Sequence, residues 1–170
     1  TAIAAQHLRS RFRRVAIIDF DVHHGNGTQG IFYARSDVLT VSIHADPHGF
    51  YPFFWGHAHE RGVGAGEGFN LNLPLPLGTG DAPWLAAGER AIEHIRRFAP
   101  EVLVVALGLD ASESDPLQGM KITPAGFGRM AAKIGAMGLP TVLVQEGGYL
   151  GPELGDNLVS FLDGFLKGRG

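Results

Sequence analysis

Apolar runs of strand length punctuate the chain at Val15–Asp19, Val38–His44, Phe69–Leu73, Val102–Gly108 and Thr141–Gln145. Between and around them, apolar residues recur at helical spacing over Ala2–Phe12, Gly27–Ala34, Pro83–Phe98, Pro124–Met137 and Glu153–Leu166. Runs such as VLVVALG are apolar at every position, the pattern of a strand covered on both faces, so the expected sheet is parallel and lies between helices. Val102–Gly108, a helix opened by Thr123-Pro124, and Pro140–Gln145 together predict a βαβ unit. One stretch departs from this alternation. His44–Gly68 carries Phe50, Tyr51, Phe53, Phe54, Trp55 and several histidines and ends in GVGAGEG. It reads as a long ordered loop, and loops of that length inside compact domains are usually functional.

The chemistry gathers at the ends of the apolar runs. Asp19-Phe20-Asp21-Val22-His23-His24-Gly25-Asn26-Gly27 follows the first. If the strand continues, Asp19, Asp21 and His23 share a face. In open α/β sheets that position lies where ligands bind. Carboxylates beside an imidazole suit a divalent cation. The same residues also read as an acidic strand end capping the next helix. A second carboxylate, Asp110, closes the run VLVVALGL, where a buried charge needs a partner. Asp21, His23 and Asp110 would form an Asp2His set with an open position, the arrangement of a catalytic zinc; the alternative for Asp110 is an N-cap. Asp115-Pro116 reads as a turn. The last run leads into Gln145-Glu146-Gly147-Gly148-Tyr149, where paired glycines allow close backbone approach and the Tyr149 hydroxyl could face a developing oxyanion. Alternatively it is a glycine turn with a packed tyrosine. His7 and His94 fall in helical patterns, His48, His57 and His59 in the aromatic loop. His24 and His44 are candidates for supporting roles.

DFDVHHGNGTQ, VSIHADP with FYPFFWG, LGLDASESDP and EGGY, in this order, resemble the zinc-dependent histone deacetylase superfamily with its arginase-like α/β fold. Within it the resemblance is nearest to the bacterial acetylpolyamine amidohydrolases, then to class II-type deacetylases. It implies Asp21, His23 and Asp110 as zinc ligands, with Fe2+ as an alternative metal, and Tyr149 as the residue that polarises the scissile carbonyl. It further implies a structural K+ held by Asp19 with Asp21, His23, Ser42 and Ile43. Substrate contacts are implied at Tyr51, Leu117 and Gly148. Tyr51 stands where the family usually carries Phe. The implied substrate is a small acetylated amine, most directly an acetylpolyamine, with acetyl-lysine protein as the rival. A non-catalytic metal-binding or assembly module is the reading from another class.

Composition narrows the partners. The chain has 170 residues, no cysteine, 14 Lys+Arg against 17 Asp+Glu and a net charge of -3. There is no basic footprint for a nucleic-acid backbone and no thiolate chemistry. No apolar run approaches the ~20 residues of a membrane span. No signal-peptide pattern opens the chain, and a cytoplasmic location is expected. Thr1 begins inside a helical pattern without Met, so the expectation is a piece of a longer protein: residues 1–170 as the C-terminal part of one deacetylase-like domain. The family's paired catalytic histidines, in a Gly-His-His stretch, would then lie upstream, and the chain alone should be nearly inactive. Asp46, Glu60 and Glu67 are candidates for an acidic substrate entrance. The aromatic loop needs a cover, for which a homodimer is one solution.

Overall fold

A computed structural model describes residues 1–170. Helix α1 (Ala2–Leu8) leads into β1 (Val15–Asp19), α2 (Asn26–Phe32), β2 (Val38–Ala45), and, past a 3-10 turn at Gly64–Gly66, β3 (Asn70–Leu75). There follow β4 (Thr79–Gly80), α3 (Asp81–Phe98), β5 (Val102–Leu107), β6 (Met120–Lys121), α4 (Pro124–Gly135), β7 (Thr141–Gln145) and α5 (Leu154–Arg169). The main sheet runs β3-β2-β1-β5-β7, and every pairing in it is parallel.

Side-chain alternation explains the layering. Ala16 and Ile18 of β1, with Leu103, Val105 and Leu107 of β5, face one core with Trp84 and Ile95 of α3, Phe127 and Met130 of α4, and Phe161 of α5. Val15, Ile17, Val102 and Val104 point the other way, onto Ala5 of α1 and Phe32 of α2. Both faces of the central strands are therefore covered, as their unbroken apolar runs require. The α4 start is also as the sequence dictates: Thr123 Oγ1 accepts the Gly126 N–H at 3.0 Å and Pro124 occupies the first turn. The pair β4–β6 was not expected, because two-residue strands carry no periodicity to read. Edge strand β7 is only partly covered.

The strand order reverses between β1 and β5: from β1 the chain moves outward through β2 to β3, then returns to the other side for β5 and β7. Such a switch point leaves a crevice beyond the carboxyl ends of the two strands. No helix is long and apolar enough to cross a membrane.

Candidate metal centre

The first strand stops at Asp19, and the reason is local. Asp19 Oδ1 accepts the Asp21 N–H at 3.0 Å and Asp21 Oδ1 accepts the His23 N–H at 2.8 Å. Two successive side-chain-closed turns thus lead the chain out of the sheet. This corrects the expectation of a continued strand with Asp19, Asp21 and His23 on one face. The cluster that forms is Asp21, His23 and Asp110, whose donor atoms all lie within 4.8 Å of one another. Asp19 instead sits buried beneath it.

Strand ends β1, β5 and β7 are laced together at this point. Asp110 Oδ1 accepts the Val22 N–H at 2.9 Å, Asp21 Oδ2 accepts the Gly147 N–H at 2.9 Å, and Leu109 N–H donates to Gly147 O at 2.9 Å. Gly147 has no alternative here: a Cβ would overlap the carboxylates of both Asp110 and Asp21. Gly148, singled out from the sequence, has φ +136 and its Cα faces Leu109 and Leu154 instead. The sequence marked the glycine pair as a point of close backbone approach, and Gly147 is the member packed against the two carboxylates. Gly147→Ala keeps the N–H but drives a Cβ into both carboxylates, so zinc binding should weaken about 10–100-fold, the usual range when the support of a ligand is disturbed. Equilibrium competition against a chromogenic chelator measures it, and unchanged affinity would separate Gly147 from the site.

The electrostatics ask for a cation. Asp110 is 0% exposed and its Oδ2 has no hydrogen-bond partner. The nearest positive group, His23 Nδ1, is 3.3 Å away in a poorly directed approach, an electrostatic contact rather than a hydrogen bond. His23 Nδ1–H donates instead to Asp21 Oδ1 at 2.9 Å. Contact with Asp110, then the bond to Asp21, raises His23 to about 9. Burial pushes Asp110 up, and the Asp21 charge adds to it. For Asp21 burial acts the same way, but the His23 bonds outweigh it and its carboxyl lies below the usual range. Asp19 is driven well above that range by burial, then by the Asp21 charge.

A divalent ion fits this set. Tetrahedral donors at about 2.0 Å from zinc stand about 3.3 Å apart, so the observed spacing needs only small side-chain adjustments. The metal must displace the His23 proton. Affinity should therefore fall as pH falls, about tenfold per unit below the raised pKa of about 9. Calorimetry at pH 7 in two buffers of different ionisation enthalpy should show one proton released per zinc; none would remove His23 from the ligand set.

A cleft of about 470 Å3 opens over the cluster, with Asp21, His23, Tyr51, Glu146 and Tyr149 among its walls. The Tyr51 ring meets His23 edge-on at 6.0 Å, and Phe50 stacks on that imidazole at 5.2 Å. Phe50 and Glu146 escaped sequence reading; within a loop so rich in aromatics, nothing marks Phe50 as the one that stacks. Tyr149 is 49% exposed, and its phenol is shifted upward by desolvation and then by Asp110 and Asp21, so it stays protonated at neutral pH. Leu117 lies outside the cleft lining, in a turn closed by its N–H to Asp115 Oδ1 at 2.8 Å. Ser42 pairs with Asp19 in the β1–β2 register and Ile43 is fully buried. Ser42 Oγ donates to His44 Nδ1 at 2.8 Å, since His44 Nε2–H is used on Gly56 O at 2.9 Å. Glu60 is no entrance acid: its carboxylate turns inward onto Gln29. Asp46 holds the His48 N–H and ring.

The description "Histone deacetylase domain" matches residues 1–164. The acetylpolyamine amidohydrolase of Burkholderia pseudomallei is 52% identical over 169 residues, covering 99% of this chain and 50% of that protein. A crystal structure of the acetylpolyamine aminohydrolase from Burkholderia pseudomallei superimposes with a TM-score of 0.94 at 52% identity, over 96% of this chain and 48% of that one. The histone deacetylase Clr3 gives a TM-score of 0.90 at 32% identity, over 97% and 29%. The chain spans about half the length of the curated acetylpolyamine amidohydrolases it matches. With motifs, fold and comparisons in agreement, the chain belongs to the histone deacetylase domain family.

Proposed function

We propose that this chain is the metal-bearing part of a zinc-dependent amidohydrolase that releases acetate from small acetylated amines, acetylpolyamines first among them. The observation that carries the reading is the Asp21–His23–Asp110 cluster, whose Asp21 and His23 line a cleft together with Tyr51 and Tyr149. Relatives named for acetylpolyamines, at 43–52% identity, support the substrate class.

Asp21, His23 and Asp110 would hold the ion. When bound, zinc supplies Lewis acidity to the amide carbonyl and acidifies water at its open position. The chain's own residues do the rest of what lies within it. Val22 N–H and Gly147 N–H fix the two carboxylates. Phe50 stacks on the His23 ring and Tyr51 meets it edge-on, which steadies the imidazole. Tyr149, protonated at neutral pH, donates to the carbonyl oxygen as it gains charge. Water adds to the carbonyl carbon, the C–N bond breaks, and the amine leaves with a proton, giving acetate and free amine. The acid/base histidines for these proton transfers would come from the part of the domain that this chain does not span. Asp19 and Ser42, with backbone carbonyls of Asp21, His23 and Ile43, would hold a K+ that relieves the buried Asp19 charge. A homodimer covering Phe53, Phe54 and Trp55, all exposed, belongs to the same reading.

The test is hydrolysis of an N-acetylated polyamine beside an acetyl-lysine peptide by the complete protein, with zinc removed and restored. Zinc-restored turnover of the polyamine, at least tenfold favoured in kcat/KM, is the expected result. Preference for the peptide would make the protein a lysine deacetylase; no hydrolysis of either would leave a binding module.

A further inference from the structure

The loop that walls the cleft is packed at its base, with Phe50 against the main core, but its tip is held by polar bonds. Phe53, Phe54 and Trp55 at its tip are exposed, at 50%, 84% and 45%, so apolar burial contributes little there. Gly56, directly after them, is gripped on both sides. Its N–H donates to Glu60 Oε2 at 2.9 Å and its carbonyl accepts His44 Nε2–H at 2.9 Å. Gly56 lies at φ +104, and a Cβ would come within 2.9 Å of the His24 and His44 rings, so the grip is built for glycine.

Glu60 joins this grip to the body of the fold. The same Oε2 accepts Gln29 Nε2–H at 2.6 Å from α2 and Asn72 Nδ2–H at 3.3 Å from β3. Gln29 Oε1 in turn accepts from Asn70 and Asn72, and from His24 Nε2–H at 2.9 Å, one residue beyond the ligand His23. From Gly56 back to the cleft the segment is short and internally bonded: Phe53 N–H donates to Phe50 O at 3.0 Å and Phe54 N–H to Pro52 O at 2.7 Å. A displacement at Gly56 is thus passed to Phe50 and Tyr51, the rings against His23.

We propose that Glu60 is a positioning residue for substrate binding: by clamping Gly56 onto Gln29 and Asn72, it sets where Phe50 and Tyr51 stand in the cleft wall. Glu60 touches neither metal ligands nor substrate, and its effect is on capture rather than turnover. The kinetic arm of the test rests on the amidohydrolase reading; the spectroscopic arm does not.

The experiment uses the complete protein and Glu60→Ala. Freeing two wall side chains costs about 1.4 kcal/mol in binding, so KM for an N-acetylated polyamine should rise about tenfold with kcat within about threefold. Zinc stoichiometry should stay unchanged. Trp55 lies beside Gly56, whereas Trp84 is fully buried. Acrylamide quenching of Trp55, isolated as the difference from Trp55→Phe, should increase in Glu60→Ala. Glu60→Gln, which keeps an oxygen for the Gly56 N–H, should restore most of both readouts; if Glu60→Ala does not fold, Glu60→Met, which keeps the length and removes both oxygens, carries the test with the same expected direction. Unchanged quenching in a folded variant overturns the clamp, as does a joint loss of kcat and zinc. If the wild type hydrolyses no acetylated amine, the amidohydrolase reading fails and the quenching comparison still decides the clamp.

Discussion

Asp110→Ala should cut zinc affinity by about 100-fold or more while the protein stays folded. The size follows from the site. Structural zinc in zinc-finger peptides is bound with about 10–16 kcal/mol by four ligands at neutral pH, so one ligand of a set carries about 3 kcal/mol. Asp110 is the best placed of the three ligands here: it is fully buried and one of its oxygens has no hydrogen-bond partner. Its other oxygen accepts the Val22 N–H, so truncation also orphans a buried donor, at a cost of about 1–3 kcal/mol. Removing a buried charge raised by desolvation offsets part of that. Asp110→Asn separates the two effects, since it keeps an acceptor for Val22 and loses only the charge. Calorimetric titration with zinc, beside circular dichroism, is the measurement. One zinc on the parent and weak binding in both folded variants is the expected result; wild-type affinity in either removes Asp110 from the ligand set.

Tyr149→Phe should lower kcat of the complete protein about 10²–10³-fold with KM changed by no more than a few-fold, the pattern for losing a donor used only as charge develops. Two observations support this expectation. It lines the cleft together with Asp21 and His23, and its proton is held more firmly than in free tyrosine by desolvation and by the neighbouring carboxylates. Zinc affinity should not change, because the ring hydroxyl is not in the ligand cluster. Steady-state kinetics beside a zinc titration tests both halves, and a loss in kcat below about tenfold would take Tyr149 out of the oxyanion role.

Much of the fold was legible because local patterns and global packing agree. The strands β1 and β7 begin and end where the apolar runs do, and α4 starts at the expected Thr-Pro pair. That Asp21, His23 and Asp110 come together was legible too, since charged residues closing apolar runs have few structural reasons to be there. What escaped reading depends on three-dimensional approach. Asp19 left the cluster because side-chain turns, invisible to a periodicity argument, bend the chain after it. Gly147 meets the carboxylates of Asp21 and Asp110, a contact fixed only by the way the chain leaves β7. Glu60 looked like a surface acid by composition, yet it is the hub of a polar network made by residues from α2 and β3.

The reversal of strand order between β1 and β5 has a consequence for how the site can be moved or copied. Asp110 is bonded to a backbone N–H 88 positions earlier, and Asp21 to one 126 positions later. No linear segment contains the centre: a peptide around DFDVHH holds two donors and lacks both the third and the amide that steadies the first. Transplanting the motif into another protein therefore means transplanting a junction of three parallel strands. For the same reason, an insertion within the long intervening stretch is neutral to the metal so long as the strand ends still meet.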